Sequence, residues 1–250
     1  NVTTGVLSLT SAGSTATVAQ WEAALRSVTF SNGEASPVTG TRTVSFGVND
    51  GDTNSTAATS SVDIVSAPVI GNLNGDSVTY TEGGGAVAID AGTAATVTDS
   101  DNDITGFDGG NLTVSITGGG NAAQDILGLS TGGTITLSGS TAGSTVSVDN
   151  VVIGTLANNI AAGNNLVINF DGNATPARVA SLLAAIQYSN SNADDPTTGA
   201  RTVRVTVTDA SGGFTSAPAD VTVNVVGVND APTVSATGGT PTFTENGTAV

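Results

Sequence analysis

The chain has no cysteine, methionine, histidine or lysine, and only 4% of its 250 residues are aromatic. Each gap excludes something. Without cysteine there is neither a disulfide framework nor a thiolate metal site. Without histidine, lysine or cysteine, acid–base work would fall on paired carboxylates, as in glycoside hydrolysis, where aromatic platforms usually hold the sugar. One tryptophan and two tyrosines offer little of that kind, and Trp21 falls on an apolar helical face. The sequence therefore argues against an enzyme. Its five basic residues, all arginine, stand against 21 acidic ones, for a formal net charge of −16. Nucleic-acid binding needs cations against phosphate, so it is excluded on charge, and an anionic membrane surface would repel the chain. No apolar run approaches the ~18 residues of a membrane helix, so membrane insertion is not expected. No basic-then-apolar signal peptide opens the chain, and neither end carries a terminal signature. It reads as a piece of something longer.

What is present favours β-structure. Val, Ala, Ile and Leu dominate the 38% hydrophobic content, with Gly, Ser, Thr and Asn filling much of the rest. That composition suits many short strands joined by turns. Alternation appears in Leu112-Val114-Ile116, Leu166-Ile168-Phe170, Val203-Val205-Val207 and Val221-Val223-Val225, with Arg204 on the opposite face. One apolar face per strand implies antiparallel sheets packed as a sandwich. A short helix is expected after Thr175 as N-cap and Pro176 at the first position. Val179, Leu182, Leu183 and Ile186 follow there at i, i+3, i+4 and i+7. Thr17, Trp21, Leu25 and Val28 form its counterpart, and both read as crossover helices that cover a core.

These counterparts belong to an internal repeat. Phe30-Ser31-Asn32 aligns with Tyr188-Ser189-Asn190, Pro37 with Pro196, Gly40 with Gly199, and Arg42-Thr43-Val44 with Arg201-Thr202-Val203. The separations are 158 (Phe30 to Tyr188), 159 (Asp50 to Asp209) and 163 (Glu82 to Glu245). Residues 1–66 read as the C-terminal part of one repeat, 67–230 as one complete repeat, and 231–250 as the start of the next. By the same alignment Tyr80, Tyr188 and Phe30 read as core positions.

The acids concentrate in four places: Asn229-Asp230 before Ala231-Pro232; Glu82 with its equivalent Glu245; Asp99, Asp101, Asp103 and then Asp108; and Asp50 with Asp52. Ca2+ takes six to eight oxygens in flexible geometry, and alternate aspartates in a bent loop can turn inward around one ion. On a flat strand the same three carboxylates would line one face and repel. Ca2+ ligation is therefore the reading for Glu82, Asp99, Asp101, Asp103, Asn229, Asp230 and Glu245, against the competing reading of a solvated acidic turn. For Asp50 and Asp52 the solvated turn is preferred. Five Asn-x-Ser/Thr sequons, at Asn1, Asn54, Asn111, Asn173 and Asn246, read as chance in a chain this rich in Asn and Thr.

VNDAP at the end of the long repeat, FTENG and YTEGG, the TDSD loop and the closing RTVRVTVTD strand together resemble cadherin-like tandem repeats. Those of giant bacterial surface adhesins, including the RTX-associated ones, are the most similar. The resemblance implies tandem antiparallel sandwiches (cadherin/Ig-like), here with one short crossover helix per repeat, and Ca2+ shared at inter-repeat junctions. It assigns Asn229, Asp230 and Glu245 to the second junction, and Glu82, Asp99 and Asp101 to the first. VDIVSAP departs from the pattern, with Asp63 in place of an Asn-Asp pair. The repeat is also longer than a simple cadherin domain and must accommodate an insertion or a second subdomain. The implied function is a stalk or fibre segment of a secreted or bacterial cell-surface adhesin, stiffened by Ca2+. Its partners would be neighbouring repeats, with other cells or matrix reached through further domains. The alternatives are an extracellular filament joined by strand exchange and a carbohydrate or cell-surface binding module.

Overall fold

The computed structural model describes residues 5–33, 38–100, 106–209, 213–232, 234 and 238–239, and the chain divides into two compact units, Asn1–Ser66 and Ala67–Val250. In the first unit the described elements are a 3-10 turn (Ala12–Ser14), helix α1 (Val18–Arg26) and strands β1 (Gly40–Phe46) and β2 (Ala58–Ile64). Thr17 caps α1 reciprocally: its hydroxyl accepts the Gln20 N–H at 3.3 Å while Gln20 Oε1 accepts the Thr17 N–H at 2.8 Å. β1 and β2 pair antiparallel, Gly40 opposite Ile64 and Arg42 opposite Val62. A helix and a two-stranded ribbon cannot enclose a core. Ile64 is the buried hydrophobic residue among those described here, and α1 buries nothing. Phe30, read from the alignment as core, is 47% exposed because no second sheet covers it among the described residues.

The second unit carries β3 (Val69–Gly71), β4 (Ser77–Thr81), β5 (Val87–Ala88), β6 (Thr96–Thr98), β7 (Asn111–Gly118), β8 (Asp125–Leu129) and β9 (Ile135–Leu137). β10 (Thr145–Val148), β11 (Val151–Leu156), β12 (Leu166–Phe170), α2 (Pro176–Ala184), β13 (Ile186–Asn190), β14 (Gly199–Thr208) and β15 (Ala219–Val226) follow. An eight-stranded sheet runs β4-β15-β14-β7-β12-β11-β10-β9, a three-stranded sheet runs β5-β13-β8, and β3 pairs with β6. Side chains from the two larger sheets, from β6 and from α2 share one continuous hydrophobic cluster, so the architecture is mainly β and sandwich-like. β9, β10 and β11 extend the large sheet and build no second core: Ile135, Val146, Val148 and Ile153 join the same cluster.

The alternations predicted from the sequence place the core. Val203, Val205, Val207, Val221, Val223, Leu112, Val114 and Ile168 are fully buried, and Val203 sits opposite Val221 in the register. Each such side chain contributes about 1.5–3 kcal/mol of burial. α2 forms where expected, with the Thr175 hydroxyl accepting the Arg178 N–H and Val179, Leu182 and Leu183 buried. It stops before Ile186: the Ala185 N–H bonds back to Leu182 and Leu183, and Ile186 opens β13 opposite Leu129. One pairing departs from antiparallel expectation. β4 lies parallel to β15, with Thr81 opposite Val226. Parallel neighbours need a long connection, which the first and last strands of this sheet have.

Candidate metal-binding site

The β4–β15 register determines where Glu82 falls. It follows Thr81, so it emerges beside the end of β15: its N–H donates to the Val226 carbonyl at 2.9 Å, and its Oε2 accepts the Val228 N–H at 2.5 Å. Oε1 is shut off from solvent and meets no donor among the described residues. A buried carboxylate oxygen left without a partner carries a desolvation penalty that a proton donor or a cation would relieve. The backbone passes tightly here, since a Cβ on Gly227 would lie 3.4 Å from Glu82 Oε2 and 3.3 Å from Thr198 Cγ2. Asn229 and Asp230 continue from Val228 as exposed coil, with Asn229 Nδ2 donating to the Asp230 carbonyl at 3.3 Å.

The resemblance groups Glu82 with Asp99; in the structure Glu82 lies beside Val226 and Val228, in the segment that leads on to Asn229 and Asp230. Asp99 follows β6, whose Thr98 pairs with Val69 near the unit's start. Glu82 thus lies beside the unit's last strand, and Asp99 follows a strand paired with its first. Asp99 is half-buried and engaged in its surroundings. Asp101, Asp103 and Glu245 lie outside the described residues.

Two further acids lie in a segment next to Glu82. A Cβ on Gly83 would lie 3.8 Å from the Ala193 carbonyl, which brings the segment holding Asp194 and Asp195 next to Glu82. Asn192 shapes that turn, its Oδ1 accepting the Asp194 and Asp195 N–H groups, each at 3.2 Å. The available signal was the recurrence of an acid before the aligned prolines: Glu34 before Pro37, Asp194 and Asp195 before Pro196. Among the described residues, no three acidic side chains converge on one point. Asp50 shapes its own turn. Its Oδ1 accepts the Asp52 and Thr53 N–H groups at 3.0 and 2.9 Å, and the Thr53 bond, then the Asp52 bond, hold its carboxyl below the usual aspartate range.

A polar cluster centred on Asp125 adjoins an open groove of about 300 Å³ lined by Ile116, Gly119, Asn121, Asp125 and Gly163 among others. Asp125 Oδ2 accepts Arg201 Nε at 2.9 Å and the Asn121 N–H at 2.6 Å. Oδ1 accepts the Tyr188 hydroxyl at 2.5 Å and Asn190 Nδ2 at 3.2 Å. Arg201 completes its fork on the carbonyls of Thr197 (2.5 Å) and Gly199 (3.1 Å). With four donors on it, Asp125 is a buried anchor. Tyr80 and Tyr188 pack edge to face at 5.3 Å in the core, so neither is a platform for sugar. No helix among the described residues is long and apolar enough to cross a membrane. Comparison with family models, with curated proteins and with solved structures finds no match.

Proposed function

We propose that the chain is a segment of an extracellular, bacterial cell-surface stalk or fibre, built of tandem cadherin-like sandwiches and stiffened by Ca2+ where repeats join. The observation that carries the Ca2+ reading is Glu82 Oε1, a carboxylate oxygen buried without a donor among the described residues, beside the Val228 segment that leads to Asn229 and Asp230. The donor set there is all oxygen, as Ca2+ requires. Glu82, Asn229 and Asp230, with Glu245, would hold the ion where the long repeat ends, and Asp99, Asp101 and Asp103 would hold another where it begins. Bound Ca2+ supplies positive charge among groups that otherwise repel, and this stiffens the joint. Asp194 and Asp195 add negative potential at the same end. The partners in this reading are neighbouring repeats of the same chain or fibre.

The repeat organisation, 1–66, 67–230 and 231–250 with one short helix in each repeat's C-terminal half, is supported by local structure. The β1–β2 register matches that of β14–β15: Gly40 faces Ile64 as Gly199 faces Val225, and Arg42 faces Val62 as Arg201 faces Val223. Thr17 and Thr175 cap equivalent helices. A filament joined by strand exchange is the second reading, favoured by the uncovered Phe30 of the first unit.

Calorimetric titration with CaCl2 tests the proposal. The wild-type chain should bind with measurable heat, and Glu82→Gln should lose one class of site while the class involving Asp99 persists. Identical isotherms for the two proteins would remove Glu82 from any metal site.

A further inference from the structure

Seven prolines occur in the chain, and Pro196 is the one that follows an aspartate. An Asp–Pro bond has chemistry of its own. Proline brings no N–H, so the following amide cannot close on the aspartate side chain, and the carboxylate is left to attack its own carbonyl carbon. Here the bond is also held. Asn192 Nδ2 donates to the Asp195 carbonyl oxygen at 2.5 Å, while Asn192 Oδ1 accepts the Asp194 and Asp195 N–H groups, each at 3.2 Å. Asn192 is itself tied to the buried network. Its N–H donates to Asn190 Oδ1 at 2.9 Å, and Asn190 Nδ2 donates to Asp125 Oδ1 at 3.2 Å. On the other side of the bond Pro196 is buried. Thr197 beyond it is gripped three times: its N–H donates to Gln124 Oε1 at 2.9 Å, its hydroxyl accepts Asn121 Nδ2 at 2.8 Å, and its carbonyl accepts Arg201 Nη2 at 2.5 Å. Asp195, between these anchors, is exposed to water.

We propose that Asp195–Pro196 is a self-cleaving peptide bond, with Asp195 as the nucleophile and Asn192 as the donor that polarises the carbonyl. A carboxylate oxygen of Asp195 bonds to the carbonyl carbon and closes a cyclic anhydride, and negative charge develops on the oxygen that Asn192 holds. The C–N bond breaks, its electron pair stays on the Pro196 nitrogen, and that nitrogen takes a proton from mildly acidic solvent. As a protonated amine it cannot re-form the bond. Water then adds to the anhydride, restoring the Asp195 side-chain carboxyl and leaving its main-chain carboxylate as a new C-terminus. The sum is hydrolysis of one peptide bond. The charged groups around it are Asp194 on the same turn, Glu82, whose neighbour Gly83 packs against Ala193, and Arg201 through the Thr197 carbonyl. The cut falls between β13 and β14. β13 stays paired with β8, and β14 with β7 and β15, so the unit is nicked and not dismantled. None of this depends on Ca2+ or on the stalk reading.

The full chain is incubated in EDTA at about pH 5, where an ordinary side-chain carboxyl is mostly ionised, and its intact mass is followed with time. Two fragments are expected, residues 1–195 and 196–250. They should form at least about tenfold faster in the folded chain than in urea, since a donor held on a developing oxyanion is worth that much or more. Asn192→Asp keeps the acceptor for the two N–H groups but gives up the amide donor. It should slow cleavage of the folded chain to the rate in urea and leave the rate in urea unchanged. Asp195→Asn should abolish cleavage in both. Equal rates for folded and urea-unfolded wild type overturn the proposal, and that comparison needs no variant to fold. So does an Asn192→Asp chain that cleaves as fast as folded wild type, or cleavage at another bond in place of this one.

Discussion

Asp125 and Arg201 are 3% and 1% exposed, and each is tolerable inside the sandwich only because the other is there. Their network also sets the chemistry of Tyr188. Burial, and then the hydrogen bond to the Asp125 carboxylate, push its phenol from 10.0 to about 12. A phenol harder to ionise when folded than when unfolded contributes stability that is complete below pH 10.0 and is lost as the pH rises toward about 12. In a Tyr80→Phe variant, the remaining tyrosinate absorbance should rise with a midpoint near 12 and unfolding should become easier over the same window. A midpoint at 10.0 would mean the hydroxyl is not held by Asp125. The burial of Arg201 was legible in the sequence, since it stands in phase with Val203, Val205 and Val207 while Arg204 stands out of phase. Its partner was not legible, because Asp125 is 76 residues away and only tertiary pairing joins them. Glu82 illustrates the same limit. Its residue type pointed to a ligand, but only the β4–β15 register reveals that it lies beside the end of β15.

Among the elements, close backbone approach fixes where side chains cannot go. Gly154 in β11 lies so near β12 that an added Cβ would collide with the Asn169 carbonyl oxygen. Gly154→Ala should therefore cost about 1–3 kcal/mol or more in urea unfolding, through displaced backbone. Gly133→Ala, with nothing within 4 Å, should stay within about 0.5 kcal/mol of wild type. Equal effects at the two positions would contradict the β11–β12 packing. Strand alternation and the Thr175-Pro176 helix start were readable because both are local patterns. The parallel β4 edge and the extension of the large sheet through β9 were not. Strand partners are chosen by register and by which faces need burying, and neither is written in any single window.

At the scale of the molecule, a net charge of −16 with five arginines sets the chain against itself. Acids gathered at the ends of a sandwich concentrate that repulsion where neighbouring repeats would meet. In the proposed reading Ca2+ would convert that cost into a joint, and linkage would tie stability to the ion: at 100 times Kd each site would add about 2.7 kcal/mol. For a domain of this size that corresponds to a rise of about 5–10 °C in melting temperature. The most direct measurement is thermal melting of the full chain in saturating CaCl2 and again in EDTA, alongside Glu82→Gln. The expected result is a wild-type melting temperature raised by several degrees in Ca2+ and brought back down by chelator, with a smaller rise in the variant. Superimposable melting curves with and without the ion would contradict a metal-stiffened stalk and leave the acids as solubilising surface charge.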